Sequence, residues 1–338
     1  MAEQLNIDIS SGGNGDIWMR LVSFYAVAKI LPQFTYNIYV PPFMQNLAQY
    51  TFGDRLQFTS DKTECKYLYT SLGLRSMLGG ITQGKKYVVP YHRAVIFDKG
   101  NRKLKDSINI FMFNIASVLN VVQLPGWEWI EKYQGYLDII GIKKIRSATY
   151  QQYIMQLEAD SDIIYQKLNS AEMPTSPELE FPEDLGEKVV VFPTGTSRQF
   201  VPVWWAKQNL PDAYYAFFVK DKDANAFLEA GLKVVFFYKE PGDIIALSHK
   251  AAWTVTTDSF PSHLLQFATT NTTVTITEVR KSRIIAPVFR GKVIDAVAPC
   301  HPCLHLERNH FPTCMAGHKE CINWKSSVYT QGVLSSIS

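Results

Sequence analysis

The second half of the chain alternates between short apolar runs and segments with helical spacing, and this alternation limits the fold more than any other feature. Apolar and β-branched residues dominate the short runs, as in β-strands. Several runs are apolar throughout, which is typical of a parallel sheet covered by helices on both faces. The predicted strands cover 188–193, 213–219, 233–238, 253–257 and 273–277, and the predicted helices cover 201–208, 223–230, 243–252 and 263–269.

The start of the chain predicts a similar unit. A strand over 5–10 runs into a glycine-rich turn, a helix follows from Ile17, and a second strand covers 34–40. The turn departs from the GxGxxG pattern and no acidic residue ends the second strand, which disfavours binding of NAD or FAD. The bare glycine backbone lets a ligand approach closely. The turn residues predicted to lie on the side of an acceptor are Gly13, Asn14 and Gly15.

Asp16, at the end of this turn, is a candidate for chemistry. It follows the carboxyl end of a strand, which is where α/β folds bind ligands. The position also suits a residue that caps the helix. Spacing alone favours that structural role over a catalytic one.

Length and composition predict two domains. The chain has 338 residues, of which 46% are hydrophobic, as expected for a globular protein with substantial cores. Prolines and six carboxylates concentrate between Glu172 and Glu187, which is a linker composition. The predicted parts are an N-terminal domain over 1–170 with long helices at 104–124 and 149–169, a linker over 171–187, a C-terminal domain over 188–325, and a helix or tail over 326–338.

Basic residues concentrate in the first half of the chain. The net charge is +3, which divides into +6 over 1–150 and −3 over 151–338. The segment 55–105 carries 11 basic residues against 3 acidic ones, with tyrosines interleaved. This pattern fits either a solvated face or a surface for a polyanion such as nucleic acid or a phosphorylated glycolipid. The basic residues of this segment include Arg55, and those predicted to lie on the acceptor side are Lys85, Lys86 and Arg93.

The sequence predicts a cytoplasmic location. No apolar run is long enough to span a bilayer, and the N-terminus lacks a basic region followed by an apolar one. The chain has five cysteines, an odd number, and without an export signal this argues for a reducing compartment.

Four cysteines form a late cluster with the spacing C-x2-C-x10-C-x6-C. A CxxC knuckle followed by two more thiols predicts a structural zinc site, with free thiols or disulfides as the alternative. The remaining cysteine, Cys65, is predicted to be buried core. The Asp-x-Asp strings at 160–162 and 221–223 are predicted to be solvated charges and not metal ligands. The four predicted zinc ligands are Cys300, Cys303, Cys314 and Cys321.

Three polar turns follow predicted strands of the C-terminal domain and meet at one edge of its sheet. Hydroxyls, a bare glycine and a guanidinium suit a diphosphate, and Pro261 fits the first turn of a helix whose N-terminus favours anions. Ordinary strand-to-helix turns share much of this pattern, but three turns at one edge predict nucleotide binding. The residues are Thr194, Gly195, Thr196, Ser197 and Arg198 in the first turn, Lys239 and Glu240 in the second, and Asp258, Ser259, Pro261, Ser262 and His263 in the third.

Four motifs in order make the sequence similar to the family 9 glycosyltransferases, the bacterial heptosyltransferase family. They are Gly15-Asp16, the 193–198 turn followed by Pro202 and Trp204-Trp205, the Asp258–His263 turn, and the cysteine-rich segment 299–321. The likeness covers most of 188–325 and the first 40 residues but is poor over 41–170. Two departures stand out: Phe260 replaces a family glycine, and Arg198 is out of register with a phosphate-binding lysine of the family.

The resemblance implies the GT-B fold, an α/β architecture of two Rossmann-like doubly wound domains facing across a cleft. It also implies an inverting transfer without a catalytic metal, from a UDP- or ADP-sugar to a hydroxyl. In that mechanism Asp16 is the base, Glu240 holds the ribose, and the third turn holds the diphosphate opposite Arg198 or Thr196.

Two acceptors fit the resemblance and the basic segment. One is a sugar of a lipopolysaccharide core, and the other is a hydroxymethylated base of phage DNA, which places the protein in a bacterial or phage-infected cytoplasm. The alternative function is a non-catalytic nucleotide- or nucleic-acid-binding protein that keeps the fold.

Overall fold

Two parallel β-sheets, one in each of two units, organise the chain. The units are Met1–Ile163, here called unit 1, and Ile164–Ser338, called unit 2. The computed structural model describes residues 3–10, 13–69, 86–90, 121–124, 147–193, 201–276, 285–286, 289–295 and 327–338.

Unit 1 contains a six-stranded sheet in which every pairing is parallel. The strand order is β3-β2-β1-β4-β5-β6. The strands are β1 Glu3–Asp8, β2 Phe34–Tyr39, β3 Gln57–Thr59, β4 Tyr67–Tyr69, β5 Lys86–Pro90 and β6 Val121–Leu124. The helices are α1 Asn14–Ile30, α2 Pro42–Phe52 and the first part of α3 Ser147–Leu168, which continues past Ile163 into the residues of unit 2. A short 3-10 helix covers Lys62–Glu64.

Unit 2 contains a second six-stranded parallel sheet, in the order β12-β11-β10-β7-β8-β9. Its strands are β7 Val189–Phe192, β8 Tyr214–Phe218, β9 Lys233–Phe237, β10 Trp253–Thr256, β11 Thr272–Ile276 and β12 Lys292–Asp295. Its helices are α4 Val203–Asn209, α5 Asp223–Glu229, α6 Gly242–Lys250, α7 Phe260–Leu265 and α8 Ser327–Ile337, with a 3-10 helix at Leu185–Glu187.

The two sheets have the same strand order when each is counted from its own first strand. In both, the second and third strands lie on one side of the first, and the fourth to sixth lie on the other. The order therefore reverses between β1 and β4 and between β7 and β10. Doubly wound sheets bind ligands at the carboxyl ends of the strands at this switch point. The α/β doubly wound class predicted from the sequence is confirmed.

Helix α1 is buried around nearly its whole circumference. The side chains of Ile17 to Val27 are all buried, and the ring of Trp18 lies 5.3 Å from that of Phe52 on α2. The hydroxyl of Tyr153 on α3 donates to Ser23 at 3.1 Å. A helix covered on several sides must be apolar all round, which explains why α1 shows little amphipathic pattern.

A buried ion pair joins α3 to the loop after α2. Arg55 Nη1 lies 2.7 Å from Asp160 Oδ1, and Gln156 donates to the same oxygen at 2.8 Å. The guanidinium also stacks 4.0 Å from the ring centre of Tyr25. Burial raises the pKa of Asp160, and the Arg55 charge opposes that shift.

This ion pair corrects two predictions. Asp160 is fully buried and not a solvated charge, because Arg55 compensates its desolvation. Arg55 is only partly exposed, and its charge is paired with Asp160 instead of adding to a basic surface. The other Asp-x-Asp string behaves as predicted, since Asp223 is exposed and its N–H is bonded to Asp221.

Two helix predictions are also corrected. Residues 121–124 of the predicted helix 104–124 form strand β6, paired with β5, and the remainder of that helix lies outside the described residues. An apolar run such as VVQL suits either element, and the tertiary pairing decides. The helix predicted over 263–269 covers Phe260–Leu265 instead, because Ser259 is its N-cap.

Unit 2 has an aromatic core beneath β7, β8 and β9. Trp205, Tyr215, Phe217 and Phe227 are fully buried in one cluster, and the indole of Trp205 donates to Thr330 Oγ1 on α8 at 2.8 Å. Its neighbour on α4, Trp204, is 44% exposed.

Within the segment 171–187, Met173 and Leu185 are buried. In unit 1, Cys65 is buried, as predicted. Among the helices that the structure describes, none is long and apolar enough to cross a membrane.

The two adjacent tryptophans provide a matched test of this core. Trp205→Ala should lower the free energy of unfolding by about 3–5 kcal/mol, because it removes a fully buried ring and leaves a cavity. Trp204→Ala should change it by less than about 1 kcal/mol, because 44% of this residue is already exposed to solvent. Urea denaturation followed by circular dichroism measures both. Equal losses in the two variants would contradict the core assignment.

Candidate functional site

The turn after β10 lies at the switch point of the unit 2 sheet. Ser259, in extended conformation, is the N-cap of α7, and its N–H donates to Ser262 Oγ at 3.3 Å. Ser262 Oγ in turn donates to the Ser259 carbonyl at 2.8 Å, and Ser259 Oγ donates to the Thr257 carbonyl at 3.1 Å. The protons of both hydroxyls are therefore used inside the turn. In this arrangement the two hydroxyls can accept hydrogen bonds but have no proton to donate to a phosphate.

His263 and Asp258 are the ionisable pair of the same turn. His263 Nε2 lies 3.6 Å from Asp258 Oδ1, and the imidazole is charged only when it is protonated. His263 is 8% exposed, so little of its ring is open to solvent. An imidazole can donate to an anion in either protonation state. His263 is consequently the described side chain of this turn best suited to contact a diphosphate.

Glu240 lies in the turn between β9 and α6, at the carboxyl end of the edge strand β9, which β7 and β8 separate from β10. It is half-buried, and its carbonyl accepts the N–H of Asp243 at 3.0 Å. The turn is thus closed by backbone bonds at the start of α6. Glu240 and the Asp258–His263 turn follow different strands but end at the same edge of one sheet.

In unit 1, Asp16 lies in the first turn of α1. Its Oδ2 accepts the backbone N–H of Gly13 at 3.0 Å, so Asp16 does cap the helix, as its spacing suggests. That bond uses one acceptor position of a carboxylate that has about four. A carboxylate that caps a helix through one oxygen can still act as a base. Asn14 and Gly15, predicted in the turn, are the first residues of the helix itself.

A buried acid missed from the sequence holds the start of the same turn. Asp8, the last residue of β1, is fully buried, and its Oδ1 accepts both Ser10 N–H at 2.9 Å and Ser10 Oγ–H at 2.6 Å. Lys62 Nζ lies 3.0 Å from its Oδ2. Arg20, on α1, donates to the Ile9 carbonyl at 2.8 Å. The sequence signal for Asp8 is an acidic residue at the carboxyl end of a strand in which polar and apolar residues alternate.

A second unpredicted group lies at the end of β10. Thr257 is fully buried, and its Oγ1 has no hydrogen-bond partner in the described part of the chain. Buried hydroxyls in native structures are usually bonded, so this atom marks an unusual position beside the predicted donor turn.

Several predicted site residues lie outside the described residues. They are Thr194, Gly195, Thr196, Ser197, Arg198, Lys85, Arg93, Cys300, Cys303, Cys314 and Cys321. Lys86 is in β5, whose backbone alone is described. Over the described ranges there is no group of three or more His, Cys, Asp or Glu residues that could hold a metal ion. The zinc site stays a prediction of the cysteine spacing.

Comparisons with known proteins identify the fold. No protein-family model and no curated protein sequence matches the chain. The solved structure of E. coli ADP-heptose LPS heptosyltransferase II is similar with a TM-score of 0.51 and 12% identity, over 99% of this chain and 98% of that one. The structure of E. coli heptosyltransferase WaaC with ADP gives a TM-score of 0.47 at 13% identity, over 90% and 95% of the two chains.

A family 9 glycosyltransferase from Veillonella parvula gives a TM-score of 0.45 at 9% identity, over 99% and 97% of the two chains. The likeness to heptosyltransferase II, together with the two doubly wound sheets, gives this chain the GT-B fold that the sequence predicts.

The tight start of α6 can be tested through its first residue. A Cβ added at Gly242 would overlap the carbonyl oxygen of Pro174, whereas one at Gly186 would lie 3.6 Å from the Lys250 carbonyl, an ordinary contact. Gly242→Ala should therefore lower the free energy of unfolding by about 1–3 kcal/mol. Gly186→Ala should leave it unchanged or slightly higher. Thermal denaturation of the two variants measures both changes. A Gly242→Ala variant as stable as the wild type would contradict this packing.

Proposed function

We propose that the protein is an inverting glycosyltransferase that moves a sugar from a nucleotide-sugar donor to a hydroxyl of a polyanionic acceptor. The observation that carries the proposal is the position of the Asp258–His263 turn at the switch point of a GT-B-type sheet. A structurally similar protein is named as an ADP-heptose heptosyltransferase, which supports a nucleotide-sugar as the donor class.

In the proposed reaction, unit 2 binds the donor. His263 donates to the diphosphate, where negative charge grows as the bond to the sugar breaks. Arg198 and Thr196 are the proposed partners on the other side of the diphosphate. Because the protons of Ser259 and Ser262 are used inside their turn, these residues shape the site and His263 makes the direct contact. Glu240 accepts hydrogen bonds from the ribose hydroxyls.

Unit 1 supplies the base in this proposal. Asp16 takes the proton of the acceptor hydroxyl as its oxygen attacks the anomeric carbon. The bond between that carbon and the diphosphate oxygen breaks on the opposite face, so the anomeric configuration inverts. The electron pair leaves with the nucleoside diphosphate, and no metal takes part in the step.

The acceptor is proposed to be a lipopolysaccharide-core-like sugar or a hydroxymethylated base of phage DNA. Lys62 and Lys66 are exposed basic residues of unit 1, and Lys85, Lys86 and Arg93 are the further proposed contacts. Binding to DNA would weaken steeply with salt, because each neutralised phosphate releases counterions. The alternative function, a non-catalytic binding protein, keeps the nucleotide site but transfers no sugar.

Donor binding is the first test of the proposal. At a concentration of about 100 times its Kd, a true donor should stabilise the protein by roughly 2.7 kcal/mol, because it binds the folded state alone. Differential scanning fluorimetry with UDP-, ADP-, GDP- and CMP-sugars measures the shift in melting temperature. A stabilisation by a UDP- or ADP-sugar is expected, and the absence of any shift would refute the donor site.

Two substitutions at Asp16 separate its capping role from its proposed role as a base. Asp16→Asn keeps an oxygen that can accept the Gly13 N–H but cannot take a proton, so turnover should fall at least about 100-fold with little change in stability. Asp16→Ala should lose the same activity and, in addition, about 1 kcal/mol of stability.

Initial rates on the identified donor and acceptor, together with melting temperatures, measure both effects. Donor affinity is the control and should stay unchanged in both variants. If Asp16→Asn retained wild-type turnover, Asp16 would not be the base.

A further inference from the structure

A buried carboxylate braces the turn that carries Glu240. Asp243, in the first turn of α6, is fully buried. Its Oδ2 accepts the backbone N–H of Tyr238 at 2.8 Å, and its Oδ1 accepts the backbone N–H of Ser176 at 2.7 Å. Both bonds are charge-assisted and short, which offsets the cost of burying the carboxylate. Asp243 therefore ties the turn after β9 to a segment that is remote in sequence.

Ser176 contacts the same turn a second time. Its side chain is buried, and its Oγ accepts the backbone N–H of Glu240 at 3.4 Å. The carbonyl of Pro174, two residues earlier, lies so close to Gly242 that a Cβ there would overlap it. The backbone of Glu240 is thus held by Ser176 on one side and by the Asp243 N–H on the other.

Capping of α6 does not account for this arrangement. An acidic residue in the first turn of a helix usually satisfies free N–H groups of that helix. Here one carboxylate oxygen reaches back before the helix to Tyr238, and the other leaves the element altogether for Ser176. The bonds converge on the short turn between β9 and α6, where Glu240 lies.

We infer that Asp243 and Ser176 are positioning residues for Glu240, holding its carboxylate where it meets the ribose of the donor. This inference rests on the proposed function, which assigns the ribose hydroxyls to Glu240. A carboxylate that binds hydroxyl groups must be fixed within a fraction of an ångström, because hydrogen bonds weaken steeply with distance and angle. Rigid support from buried groups supplies that precision.

The test compares two buried serines near α6. Ser176→Ala removes the hydroxyl that accepts the Glu240 N–H and keeps the backbone N–H that Asp243 binds. Ser248→Ala, the control, removes a buried hydroxyl of α6 that bonds to Thr254 at 2.7 Å, away from the turn. Both variants lose one buried hydroxyl, so a general loss of stability affects them alike.

The readout is discrimination between ribose and deoxyribose. Isothermal titration calorimetry gives Kd values for ADP, UDP and their 2′-deoxy counterparts. In the wild type, the better of ADP and UDP should bind about tenfold more tightly than its 2′-deoxy form, because a hydrogen bond to a charged group is lost. Glu240→Gln and Ser176→Ala should reduce that ratio at least about threefold, and Ser248→Ala should preserve it.

The possible outcomes distinguish a failure of the proposed donor site from a failure of the positioning role. If the wild type bound neither ADP nor UDP, the proposed donor site and this inference would both fall. A wild-type ratio that Glu240→Gln leaves unchanged would overturn the inference, because Glu240 would not hold the ribose. If Glu240→Gln reduced the ratio and Ser176→Ala matched the Ser248→Ala control, the positioning role would fall and the proposed function would stand.

Discussion

Both candidate sites depend on the reversal of strand order beside β1 and beside β7. In a parallel sheet, the connections on the two sides of the first strand lie on opposite faces, so the carboxyl ends of the two central strands are left uncovered between them. Asp16 follows β1, and the Asp258–His263 turn follows β10, which pairs with β7. The chemistry proposed for the chain is therefore located by the winding of the backbone before any side chain is considered.

Several residues at these sheet edges also stabilise the turns in which they lie. Asp16 caps α1 through the Gly13 N–H, and the Ser259 and Ser262 hydroxyls hold the start of α7. A binding group held by its own turn loses less conformational freedom when a ligand arrives, and preorganisation of this kind is what stabilises a developing charge efficiently. These bonds also limit which side chains of the turn can donate to a diphosphate, because a hydroxyl that already donates within its turn cannot also donate to a phosphate.

Sequence patterns predicted the elements of unit 2 well, since its parallel strands are continuous apolar runs separated by polar turns. They failed where the outcome depended on a distant partner. Asp160 looked solvated because the sequence cannot show that Arg55 lies 2.7 Å away. The segment at 121–124 looked helical because an apolar run fits either element until a neighbouring strand pairs with it. Asp8, Thr257 and Asp243 were not predicted, because a buried polar residue has no periodicity of its own.

The sequence by itself determined the α/β class, the order of strands and helices in unit 2 and the polar turns at strand ends, because these follow from local periodicity and turn chemistry. Its motifs also pointed to the GT-B fold. Only the tertiary structure decided which polar groups hold the turns and which remain for a ligand. A hydrogen bond such as that from Ser176 to Asp243 joins residues far apart in the chain, and its formation depends on how the backbone packs.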